Sequence, residues 1–157
     1  MATTQKLDPE LKGAMRDSLK AYASGSAGFF DYLHKDVRVF ALDSAEPIAG
    51  QKAFKSYYGP TLIKIKRKVK LVSEDAQVSG NQVIVSQLLQ ISGKGVSTNV
   101  RQTVVWGKFD GKWQMAHIHN ARVGEPIGLG KTPTTAAGIR VLNERIATAA
   151  AVVGVAQ

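Results

Sequence analysis

The sequence predicts an α+β fold: a curved antiparallel sheet with helices across its concave side. Three observations predict it. Within the first 123 residues, helix-start signals and helically spaced apolar residues are confined to the stretch before Pro60, and alternating apolar runs fill the stretch from Ile63 to Val123. Two of those runs are separated only by Asp110-Gly111, a pair suited to the positive φ angles of a tight hairpin turn.

The first helix opens at Asp8-Pro9-Glu10, with Asp8 as N-cap, Pro9 at the first helical position and Glu10 near the positive end of the dipole. Leu11, Met15, Leu19 and Tyr22 then share one side, and Gly25-Ser26 ends the helix. Ser26 caps a short second helix carrying Phe29, Phe30 and Leu33, followed by a strand over Val37–Leu42 and a loop around Pro47. Gly50 precedes a third helix from Gln51 to about Tyr58, disturbed at Gly59-Pro60 because proline disfavours helical geometry in the residue before it.

The strand candidates follow. Ile63–Val72 presents Lys64, Lys66, Lys68 and Lys70 on one face and Ile63, Ile65, Val69 and Leu71 on the other. Gln82–Ile91 places Val83, Val85, Gln87, Leu89 and Ile91 together, and Val100–Phe109 and Lys112–Val123 form the hairpin about Asp110-Gly111. Ser73–Asn81 and Ser92–Asn99 read as the links between strands.

At 157 residues and 44% apolar content, one globular domain with a proper core is expected. Cysteine is absent, which excludes disulfides, thiolate metal sites and cysteine nucleophiles. The first residues lack an apolar signal core, and no long apolar run occurs, so a cytoplasmic protein without a membrane partner is expected. The formal charge of +9 is densest at Lys64–Lys70, which reads as a solvated strand face that discourages edge aggregation. No basic-aromatic interleaving accompanies it, so nucleic acid is not the expected partner.

Beyond the sheet, residues 124–130 read as a linker and Thr132-Pro133 as the start of a helix striped by Ile139, Leu142, Ile146, Ala149 and Val153. The expected organisation is a domain over residues 1–126, then a linker and C-terminal helix over 127–157 that packs on the domain or on a partner subunit.

Val105-Trp106, Asp110-Gly111-Lys112-Trp113 and His117-Ile118-His119 together resemble the end of the association (hub) domain of calcium/calmodulin-dependent protein kinase II. More loosely, the chain is similar to SnoaL-like cyclases and ketosteroid isomerases, all members of the cone-shaped nuclear transport factor two-like fold. The resemblance extends from about Leu11 to Pro126 and implies a pocket between helices and sheet, with self-assembly into dimers or larger rings through the sheet. It also implies a carboxylate ligand held by pocket arginines. The corresponding positions here are Gln87, Val104 and Asn120, and a family histidine corresponds to Phe54; Arg122, on the strand face of Asn120, could supply one charge.

Strand alternation puts Ala116, Ile118, Asn120 and Arg122 on one face of the last strand and Trp113, Met115, His117 and His119 on the other. With the first face taken as the pocket, the second is expected to be an oligomer interface. The expected pocket residues are Phe54, Tyr57, Tyr58, Gln87, Val104, Ile118, Asn120 and Arg122, with Gln87, Asn120 and a hydroxyl from Tyr57 or Tyr58 as a polar floor. Neither a metal nor a cofactor is expected, because His117 and His119 have no further ligand beside them in sequence. Asp31, Asp36 and Asp43 could approach the pocket mouth, although Asp36 before a strand and Asp43 in a loop read more simply as solvated turn residues. The function expected is a homo-oligomeric domain binding a small apolar or carboxylate ligand. The alternative is a SnoaL-like or ketosteroid-isomerase-like enzyme moving a proton on an apolar carbonyl substrate, with a pocket Asp or His as the base.

Overall fold

The computed structural model describes residues 6–124. Helix α1 spans Pro9–Ser24, a short 3-10 helix Ala27–Tyr32, strand β1 Leu33–Phe40, strand β2 Ile48–Ala49 and helix α2 Gln51–Leu62. Four long strands follow: β3 Lys68–Ser79, β4 Gln82–Gly93, β5 Val96–Phe109 and β6 Lys112–Arg122. They form one six-stranded sheet in the order β2-β1-β6-β5-β4-β3. Every pair is antiparallel except β1 with β6, which run parallel. The tail expected as linker and helix lies outside the described residues.

The start of α1 follows the capping chemistry written in the sequence. Asp8 Oδ1 accepts from the Glu10 N–H at 2.9 Å, and Pro9 needs no donor in the first turn. At the other end Gly25 takes φ +68°, and a Cβ there would sit 2.7 Å from the backbone of Ile65. Leu11 and Met15 on α1 pack with Phe30, Leu33, Phe54 and Trp106 in one buried cluster. Each such side chain stabilises the fold by roughly 1.5–3 kcal/mol relative to exposure.

Several expected element boundaries are corrected: β1 runs Leu33–Phe40 rather than Val37–Leu42, so Leu33 is strand and not helix, and the link expected over Ser92–Asn99 shortens to the turn at Lys94-Gly95. Three others trace to specific contacts. Helix α2 continues past Gly59-Pro60 to Leu62. The clash that proline imposes on its predecessor involves that residue's Cβ, which Gly59 lacks. The lysine-rich strand begins at Lys68 rather than Ile63, because the backbone before it bonds to the end of α1 instead of to a strand. The Lys64 N–H donates to Gly25 O and the Arg67 N–H to Ala23 O, both at 2.8 Å. The stretch 73–81 is mostly strand, since β3 and β4 remain paired to Ser79↔Gln82 and turn tightly at Gly80-Asn81.

Two strands carry single-residue insertions. In β3, Leu71 pairs with Leu89 and Ser73 with Leu88, leaving Val72 extra; in β6, Val105 pairs with His117 and Trp106 with Met115, leaving Ala116 extra. Each insertion reverses the alternation of faces along its strand, and the second reassigns two site residues.

Candidate functional site

The sheet curves around α1 and α2, and between them lies a cavity of about 320 Å³. Its walls are apolar: Met15 from α1, Phe54 from α2, and Leu89, Val104, Trp106 and Ile118 from the sheet. A volume of this size suits a small molecule.

The polar groups are few and ordered. Glu74, Gln87, Gln102 and Asn120 stand directly opposite one another on β3, β4, β5 and β6, forming a polar rung across the sheet. The Gln87 Nε2 donates to Glu74 Oε2 at 2.7 Å, and the Gln102 Nε2 donates to Asn120 Oδ1 at 2.9 Å. Gln87, Gln102 and Asn120 line the cavity, and Gln87 is 8% exposed. Opposite the sheet, the Tyr58 hydroxyl donates to the Asp43 carboxylate, and both residues also line the cavity. Burial first, and then this bond to a carboxylate, push the Tyr58 phenol well above its ordinary pKa, so it is a neutral donor. Arg122 is the cation lining the cavity among the described residues. Ser18 is buried in the wall with its hydroxyl donating to Met15 O at 2.9 Å.

Of the expected pocket residues, Phe54, Tyr58, Gln87, Val104, Ile118, Asn120 and Arg122 are brought together at this cavity. Tyr57 is not: it is 66% exposed and stacks edge-on against Tyr58 instead. Phe54 and Tyr58 are one helical turn apart and share the inward face, whereas Tyr57 is rotated about 100° from Tyr58. The expected polar floor is also divided differently, because Tyr58 bonds Asp43 while Asn120 bonds Gln102.

The expected four-residue interface on β6 is corrected by the bulge at Ala116. Met115 is 5% exposed and lines the cavity with Ile118, and Trp113 packs against the same core. The Trp113 Nε1–H donates to Asp8 Oδ2 at 3.0 Å, on the helix side of the sheet. Only His117 and His119 remain on the convex face, where both rings lie against Phe40, with centroids 6.0 and 5.5 Å away.

Gln102, Trp106 and Leu89 were missed as pocket residues. The first two were readable, because Val100, Gln102, Val104 and Trp106 alternate onto one face of β5. Asp43 carried no motif, and only the fold brings it beside Tyr58. Among the described residues, no group of three or more His, Cys, Asp or Glu side chains could hold a metal ion, and no helix is long and apolar enough to cross a membrane.

Comparison with solved structures finds the same fold repeatedly. A nuclear transport factor two-like protein of unknown function from Pseudomonas putida KT2440 superposes with a TM-score of 0.66 at 15% identity, over 74% of this chain and 87% of that one. The calcium/calmodulin-dependent protein kinase II hub of S. rosetta gives 0.62 at 24% identity, over 75% and 99%. A protein assigned as a ketosteroid isomerase from Parabacteroides distasonis ATCC 8503 gives 0.64 at 19%, over 80% and 95%. These similarities establish the cone fold and its curved, unclosed sheet. No curated protein sequence matches the chain. The family model for the SnoaL-like domain matches residues 11–122, nearly the whole described fold. The chain belongs to the SnoaL-like domain family.

Proposed function

We propose that this protein binds a small, largely apolar molecule in the cone and works as a homo-oligomer, without catalysis of its own. The observation that carries the binding reading is the cavity of about 320 Å³, walled by Phe54, Val104, Trp106 and Ile118 and furnished with few polar groups. Arg122 would hold a carboxylate at the rim if the ligand carries one. Assembly would use the convex face, where His117 and His119 flank Phe40 on a side of the sheet opposite the helices. Hub domains among the structural neighbours support this choice of assembly over a solitary cone. A cytoplasmic location is compatible with a chain that carries no cysteine.

Titration of the protein with an apolar fluorescent dye tests the pocket. Saturable binding that is lost in Val104→Trp, which fills the cavity, is the expected result; binding that survives the substitution overturns the reading. Light scattering at micromolar concentration tests assembly, and a monomer there would refute it.

One observation favours a second reading. Asp43 lies at the cavity and accepts from Tyr58, a carboxylate–phenol pair able to move a proton on a bound carbonyl compound. Deuterium exchange at the carbon beside a bound ketone, abolished by Asp43→Asn while binding persists, would make the protein an enzyme.

A further inference from the structure

The polar rung across the cavity is incomplete, and its gap has a definite chemistry. Gln87 and Gln102 are direct cross-strand partners, yet each amide bonds outward, Gln87 to Glu74 and Gln102 to Asn120. Among the described residues, no other hydrogen bond is made by these three side-chain amides. The Glu74 carboxylate accepts only, so Gln87 must present its Nε2 to Glu74 and its Oε1 elsewhere. The Gln102–Asn120 bond consumes one donor and one acceptor. If Gln102 is the donor, its Oε1 and the Asn120 Nδ2 are left over; with both amides flipped, the Gln102 Nε2 and the Asn120 Oδ1 are left over. Either way the rung offers at least one acceptor and at least one donor on neighbouring strands, on a sheet wall that is otherwise apolar except for Arg122.

Resting on the small-molecule reading above, we propose that the rung recognises a ligand group carrying an N–H donor beside a C=O acceptor: a carboxamide, lactam or cyclic imide on an apolar body. Such a group completes the rung, its N–H donating to a glutamine oxygen while its C=O accepts from the neighbouring amide. A carboxylate cannot do this. It has acceptors only, so it would face the Gln87 oxygen with a lone pair, and it would approach the Glu74 charge behind that amide. An ester accepts from the rung but leaves an oxygen of it without a partner, which is costly in an apolar site. The chemistry at the floor therefore differs from that of the rim, where Arg122 favours an anion.

The test compares naphthamide, naphthoate and methyl naphthoate, one apolar body with three heads, by calorimetry and by tryptophan fluorescence, since Trp106 lines the cavity. The amide is expected to bind about tenfold or more tightly than the other two. Gln102→Leu is expected to remove that preference while retaining the ester, and Asn120→Asp, which replaces a donor with an acceptor, to weaken the amide at least as much. Equal binding of amide and ester would overturn the inference and leave the pocket reading intact. So would tighter binding of naphthoate that is lost in Arg122→Gln. Failure of all three to bind at millimolar concentration would overturn both. If the variants do not fold, the order of the three affinities on the unaltered protein still decides.

Discussion

The indole of Trp113 on β6 donates to Asp8, the N-cap of α1, at 3.0 Å, while the other oxygen of the same carboxylate accepts from the Glu10 N–H at 2.9 Å. One side chain thus starts a helix and fastens it to the last strand of the sheet. Those two bonds, the backbone one first, hold the Asp8 carboxyl below its ordinary range, with Lys108 adding to them and partial burial opposing them.

A pH dependence follows. A carboxyl whose folded pKa is depressed stabilises the fold fully above its unfolded value and loses that contribution as pH falls through the folded one. Asp8→Asn can still cap the helix but cannot ionise. Its melting temperature should fall a few degrees below that of the unaltered protein at neutral pH, with the gap closing in the acid range below about pH 4. Parallel melting curves across that range check it, and a gap that widens on acidification would contradict it.

Arg67 should matter more than its place in a lysine run implies. Its guanidinium donates to the carbonyls of Tyr22 at 2.7 Å, Thr61 at 3.2 Å and Leu62 at 3.3 Å, and lies 4.4 Å from the centre of the Tyr22 ring. It therefore satisfies carbonyls at the ends of both α1 and α2. Arg67→Lys keeps the charge and loses the planar fork, so a loss of about 2 kcal/mol is expected in urea denaturation. Lys68→Gln, on an exposed position of the neighbouring strand, should change stability by less than about 0.5 kcal/mol.

Gly25→Ala should be more damaging than an ordinary glycine replacement. The left-handed φ of +68° and the 2.7 Å approach of Ile65 backbone act together, so a cost of roughly 2 kcal/mol or more is expected. At Gly80, where φ is +60° but nothing lies within 4 Å of a Cβ, the same substitution should cost only about 1 kcal/mol. Denaturation midpoints of the two variants compare them directly.

The bulge on β6 makes neighbouring residues separable by experiment. Met115→Ala should lower stability by roughly 2–5 kcal/mol without changing the assembly. His119→Ala should weaken assembly more than ligand binding, and leave the monomer's stability nearly unchanged. Sedimentation beside thermal denaturation distinguishes them; an unchanged oligomer with lost ligand affinity in His119→Ala would count against the face assignment.

Much of the fold was legible because its signals are local. The Asp8-Pro9-Glu10 start, the Gly25 stop and the Asp110-Gly111 turn each act through a few neighbouring atoms. Alternation grouped Ile118 with Asn120 and Gln87 with Leu89, and the resemblance added Val104 and named the pocket side; all of these line one cavity. What escaped depends on partners distant in the chain. Ile63–Arg67 has a strand's alternation, but its backbone is taken by the end of α1. Glu74 and Asp75 look like turn residues and sit in a paired strand. Nothing in the sequence around Ala116 marks an inserted residue, so Trp113 and Met115 were assigned to the wrong side. Asp43 joins Tyr58 only once β1, its following loop and α2 have come together.

The extra residue at Ala116 also bears on how such a cavity changes size. A bulge bends its strand and increases the local twist, and this one adjoins Met115 and Trp106 in the cavity wall. The width of the cone therefore depends on this insertion as well as on the side chains inside it. Deleting it would redraw the outline of the hollow without touching Gln87, Gln102 or Asn120, so a lineage could alter the size of what it holds while keeping the groups that recognise it.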